Sequence, residues 1–143
     1  MKKLLAIILF VTFIVGFAGV ASAAEWEYIH SNRDESLFFD TESLQKTGSQ
    51  TYVVLIKRQF TEDHGKVLAE KFGYSQVLSH LLIKDEFDYY NQKVRGIYIE
   101  VYDIEGNVVE LFESDKKWDI ISTMSDNDII FNATYDYYKK HYL

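Results

Sequence analysis

The residues of this chain that could do chemistry are mostly carboxylates, 22 acids against 15 lysines and arginines. Three adjacent pairs, Asp34/Glu35, Glu62/Asp63 and Asp85/Glu86, are raw material for general acid–base work. Such work needs one carboxyl held protonated and another ionised, facing each other across a cleft. Adjacency along a chain does not supply that geometry, and all three pairs fall in stretches that read as solvated turns. The four histidines, His30, His64, His80 and His141, are scattered, with no two at the three- or four-residue spacing of a helical metal site. Asp126-Asn127-Asp128 has the look of a calcium loop but lacks its glycine and distal glutamate, and helix capping accounts for it more simply. There is no nucleophile elbow, no S-x-x-K and no phosphate-cradling glycine loop. The chain is therefore read as a non-enzyme, with no catalytic residue and no metal or cofactor assigned.

Cysteine is absent. That excludes disulfides, thiolate metal sites, a Cys nucleophile, c-type haem attachment and lipidation of the mature chain. Stability must come from packing, and 11 tyrosines and 10 phenylalanines are the means to it. Proline is absent too, so the loops lack rigid turns.

The N-terminus carries an address. Lys2 and Lys3 precede an apolar run from Leu4 to Val20, and Ala21-Ser22-Ala23 follows as a small-x-small site. This is the plan of a secretory signal. Residues 1–23 are expected to be cleaved, leaving 24–143 as a single domain outside the cytoplasm. An uncleaved anchor is the alternative, although Gly16, Gly19 and the Ala/Ser cluster favour cleavage. Contact with a membrane is then limited to the signal. Losing Lys2 and Lys3 moves the formal charge from −7 to −9. So acidic a surface disfavours nucleic acid and anionic lipid as partners.

Alternation of apolar and polar residues marks the elements that would have to position any site. Trp26 to Ile29 reads as a first strand, Ser31 to Ser36 as a polar turn and Leu37 to Asp40 as a second strand. Thr41 to Lys46 reads as a tight turn or one helical turn, and Thr51 to Phe60 as the longest strand. Thr61 to Lys66 reads as a charged turn, with Gly65 available for positive φ. Val67 to Phe72 fits strand or helix, while the apolar spacing of Tyr74 to Leu82 is nearer helical. Phe87 to Tyr90 is extended, and Gly96 to Asp103, a turn at Glu105-Gly106-Asn107 and Val108 to Phe112 form a hairpin. Ser125 with Asp128 three residues on opens a C-terminal helix, which Lys139, Lys140 and His141 close. The expected fold is α+β, a mostly antiparallel sheet packed against that helix.

The helix bears two apolar lines. Ile129, Ile130, Ala133 and Tyr137 are expected to face the core. Phe131, Tyr135, Tyr138 and Tyr142 make a second line. This line either widens the core face, with hydroxyls at its edge, or stays exposed as a contact surface for a protein partner or a second copy. The contact surface is the site assigned here.

Several segments in order resemble the surface-adhesin protein E family of bacterial exported proteins. They begin at Trp26 and continue through Leu37-Phe38-Phe39-Asp40-Thr41-Glu42-Ser43-Leu44. Lys93-Val94-Arg95 then leads to Tyr102-Asp103-Ile104-Glu105-Gly106-Asn107-Val108. Trp118 to Ser125 and Ile129 to Tyr138 complete the match. The resemblance implies the same sheet-and-helix fold, export to the periplasm or cell surface, and adhesion or envelope-partner binding without catalysis. It implies haem-like small-molecule binding as the alternative, with a tyrosine, His30, His80 or His141 as axial ligand. Family members commonly link a central strand to the last helix through a cysteine pair. Here those positions fall near Glu86 or Phe87 and near Tyr137 or Tyr138, so packing of Phe87 on Tyr137 is expected instead.

Overall fold

The computed structural model describes residues 23–143, and the expected secretory signal lies outside the described residues except for Ala23. The fold is α+β. A seven-stranded antiparallel sheet runs β1 (Trp26–Ser31), β2 (Glu35–Lys46), β3 (Thr51–Phe60), β4 (Leu78–Asp88), β5 (Lys93–Asp103) and β6 (Val108–Glu113) in sequence order. The short β7 (Asp119–Ile120) pairs with β5 beyond the end of β6. Helix α1 (Glu62–Phe72) connects β3 to β4, and α2 (Asp126–Tyr142) closes the chain.

Both helices lie on one face of the sheet. On β3 that face is Tyr52, Val54, Ile56, Arg58 and Phe60, and on β4 it is Phe87, Asp85, Ile83 and Leu81, as their pairings require. The α2 half is the main core. Tyr52, Phe87, Phe39, Val54 and Ile56 are fully buried there against Ile130, Phe131 and Tyr138. The α1 half holds a smaller cluster in which Ala69 meets Leu78 and Val101.

Four expectations change. Thr41 to Lys46 is strand, not a turn. The Asp40 carboxylate accepts from the Glu25 and Glu42 N–H groups, and the Ser43 hydroxyl donates to the Asp40 carbonyl while accepting from the Leu55 N–H. That knot absorbs the register shift between Asp40 and Gln45 and drives Leu44 into the core without ending the strand. Thr61 to Lys66 is the start of α1: Thr61 caps the helix by accepting from the His64 N–H. Gly65 is a buried helical residue, and a Cβ there would sit 2.0 Å from the Leu78 carbonyl oxygen. Glycine is required by the close approach of helix to strand, not by a turn. Val67 to Phe72 completes α1, and Tyr74 to Leu82 is not helical, since β4 begins at Leu78.

The C-terminal helix starts as expected. The Ser125 hydroxyl accepts from the Asp128 N–H at 3.2 Å, and the Asp128 carboxylate accepts from the Met124 N–H at 2.9 Å. In the β5–β6 hairpin, Asp103 accepts from the N–H groups of Glu105 and Asn107, and Gly106 takes a φ of 85°.

Candidate functional site

The aromatic line of α2 is not a free surface. Phe131 is 6 % exposed and Tyr138 is fully buried, so these two belong to the core. The Tyr138 ring stacks on Tyr52 with centroids 4.8 Å apart, and Phe131 packs against Phe87 at 5.8 Å. Tyr135 is half-buried between Tyr89 and Phe131. Tyr142, 46 % exposed, is the most open of the four, and its hydroxyl donates to the Leu44 carbonyl. The assignment of Phe131, Tyr135, Tyr138 and Tyr142 as a contact stripe is therefore corrected. The helix buries a band broader than one line of side chains. Ile130, Phe131, Thr134 and Tyr138 are its centre, with Ala133 and Tyr137 on one flank and Tyr135 and Tyr142 on the other. Phe87 does not pair with Tyr137 either. It reaches the helix through Tyr52 and Phe131, while Tyr137 packs edge-on against Phe39.

The open space lies at the other end of the same face. A cleft of about 430 Å³ separates α1 from the sheet. Leu81 of β4, Ile99 of β5 and Phe112 of β6 form its floor, and Leu68 and Phe72 of α1 form its roof. The construction follows from residue size along α1. Gly65 and Ala69, the smallest side chains, are the helix's buried positions, so one edge of α1 is drawn down while the Leu68 and Phe72 side stands over the gap.

One end of the cleft is polar. Arg58 donates to Glu35 at 2.7 Å and to Asp126, in the first turn of α2, at 3.1 Å. His64 stands beside this group, its ring edge-on to Phe60 at 5.5 Å. At the far end Tyr74 donates to Glu110, a bond to a carboxylate that holds its hydroxyl proton up to about 12. Asp85 lies on this same face, four residues along β4 from Leu81 and opposite Gly96 across a bulge in β5. It is 8 % exposed. Burial raises its pKa from 3.8 to about 6, an effect the nearby Arg58 charge moderates.

The expected acid pairs separate accordingly. Asp85 and Glu86 are not solvated turn residues but lie buried within β4, pointing to opposite faces, with Glu86 paired to Arg95 at 2.5 Å. Glu35 opens β2 and joins the cleft, while Glu62 and Asp63 are first-turn acids of α1. None of the proposed axial histidines lines the cleft. His30 is exposed on β1, His80 stacks on Tyr102 at 4.6 Å, and His141 stacks on Tyr137 at 3.9 Å. Lying between Gln59 and Tyr102 in the pairing, His80 is on the sheet face away from the helices; burial, aided by Lys57, lowers its pKa. His64 is the histidine that lines the cleft. It was hidden in the sequence by its reading as a turn residue. Among the described residues no group of three or more His, Asp or Glu side chains gathers to hold a metal. No family model matches this chain, and no curated protein matches it.

Proposed function

We propose that this domain binds an elongated, largely apolar small molecule between α1 and the sheet. The observation that carries the reading is the cleft itself, which is apolar along its length and has a few polar groups at its ends. Its size lies within the roughly 300–1,000 Å³ of small-molecule sites. A core sealed at the α2 end and left open at the α1 end also speaks for selection of the gap, because an unfilled apolar cavity weakens a fold. Export and a cysteine-free, acidic mature domain fit a binding protein that works outside the cytoplasm. The resemblance to surface-adhesin protein E would then reflect a shared fold, since the segments that carry it do local structural work. Asp40 and Ser43 tie the β2 kink, Asp103 and Gly106 shape the hairpin, and Ser125 caps α2.

A neutral fluorescent probe such as N-phenyl-1-naphthylamine tests this reading. Saturable binding of one probe per chain is expected, abolished by Ile99→Trp, which fills the cleft floor. Absence of saturable binding would remove the small-molecule reading. Adhesin-like partner binding would then be the better account, using the uncovered sheet face and the exposed Tyr28 and Leu111 instead of the α2 stripe.

A further inference from the structure

The charges around the cleft carry the small-molecule reading one step further, to the head group of the ligand. Arg58 is already engaged. Glu35 of β2 holds one end of its guanidinium at 2.7 Å, and Asp126 of α2 holds the other at 3.1 Å. The charged side chains held together at this end are thus two carboxylates against one guanidinium, with the His64 imidazole also in the lining. The opposite end adds Glu110 and, over the Phe72 ring at 5.4 Å, the Lys71 ammonium, so it is close to balanced.

An anionic head would have to displace Glu35 or Asp126 from Arg58 and then lie beside the carboxylate it displaced. A cationic head instead neutralises the one negative charge that two carboxylates leave over one guanidinium. It can be shared between Glu35 and the half-exposed Asp126 while the aromatic ring of Phe60 attracts it further. The apolar lining extends from Phe60 of β3 to Phe112 of β6, three strand spacings or roughly 14 Å, which suits a chain more than a compact ring.

Building on the small-molecule reading of the cleft, we infer that its ligand is a single-chain amphiphile with an amine or ammonium head, seated at the Glu35–Arg58–Asp126 end with its tail over Leu81, Ile99 and Phe112. The alternative single-chain amphiphiles, carboxylates and alcohols, are the competitors against which this is measured.

The experiment is displacement of the neutral probe by dodecylamine, dodecanol and dodecanoate, which share one tail, from the purified protein at low salt. Dodecylamine is expected to displace it about tenfold more tightly than dodecanoate. The preference should shrink several-fold in the double variant Glu35→Gln, Asp126→Asn, which keeps hydrogen bonds to Arg58 but removes both charges. Equal displacement by all three compounds would overturn the head-group inference and leave the cleft reading standing. A preference undiminished in the double variant would also overturn it, since the amine would then be adsorbing to the acidic surface at large. Failure of all three to displace the probe, or displacement unchanged by Ile99→Trp, would sink the cleft reading itself. Phe112→Trp, a substitution at the exposed rim, provides the same block should Ile99→Trp prevent folding.

Discussion

One face of one sheet carries two helices, and they meet it in opposite ways. Helix α2 is 17 residues long and sets Phe131 and Tyr138 directly onto Tyr52 and Phe87, large ring on large ring. Helix α1 has 11 residues and meets the sheet through Gly65 and Ala69, so the backbone comes close at one edge and the bulky residues overhang the rest. Burial is deeper under α2, where β2, β3 and β4 supply the fully buried rings and aliphatics, than under α1, which lies over β3, β4 and β5. Packing against a sheet therefore does not by itself seal it. The size of the contacting residues decides, and small residues on one side of a short helix leave a trough beside them.

The contrast makes its largest prediction about stability. Tyr138→Ala should cost about 3–5 kcal/mol, since it removes a fully buried ring stacked between Tyr52 and Tyr142. Phe112→Ala, at the mouth of the cleft and 47 % exposed, should cost less than about 1 kcal/mol. Urea midpoints of the two variants against the parent measure the difference. Equal losses would mean that the α1 end is as tightly packed in solution as the α2 end.

Asp85 offers a smaller effect with a definite pH signature. Its carboxyl releases its proton near 3.8 when unfolded and about 6 when folded. The folded state therefore binds the proton more tightly. The resulting stabilisation is fully present below pH 3.8 and is lost as pH rises through about 6, amounting to about 3 kcal/mol in all. Arg58 of β3 is the charge that acts on it, and it is kept when Asp85 is changed. Asp85→Asn should match the parent near pH 3.5 and exceed it at pH 8 by up to that amount. A difference between the two proteins that stays flat from pH 3.5 to 8 would show that the carboxyl is solvated after all. A gain would mark Asp85 as retained against stability, as expected of a group that serves a site.

How far the sequence discloses this arrangement depends on whether the relevant contact is local. The alternation of Thr51 to Phe60 gives β3 to the residue, and the Ser125–Asp128 cap places the start of α2. These signals lie within a few residues of what they report. Thr61-Glu62-Asp63-His64-Gly65 misleads because glycine and charge mark turns, whereas this glycine answers to Leu78, a strand away. Thr41 to Lys46 misleads for a similar reason: the Asp40–Ser43 knot holds through Leu55 on the neighbouring strand. The two apolar lines of α2 were visible, but not which would be covered, because the width of a buried band is set by the sheet. The cleft was not legible at all. Its walls come from five strands, α1 and the loop at Tyr74, and the sequence brings no two of its polar groups together, Glu35, Arg58 and Asp126 lying far apart along the chain.

The smallest expected effect concerns the one flaw in the sealed end. The Tyr138 hydroxyl is buried and, among the described residues, has no hydrogen-bond partner. The neighbouring hydroxyls are taken: Tyr52 bonds Thr134 at 2.8 Å, Tyr142 donates to Leu44, and Tyr89 donates to Ser49. A buried polar group without a partner costs about 1–3 kcal/mol, and deleting it while keeping the ring recovers that cost. Tyr138→Phe should therefore leave the stack on Tyr52 intact and be neutral or stabilising by about 1 kcal/mol, opposite in sign to Tyr138→Ala. A loss of 1 kcal/mol or more in the urea midpoint would mean that the hydroxyl is bonded in solution, through a water or a small shift of Tyr89. The α2 end would then contain a polar pocket of its own, and the distinction between a sealed half and an open half of the sheet would be one of size and not of kind.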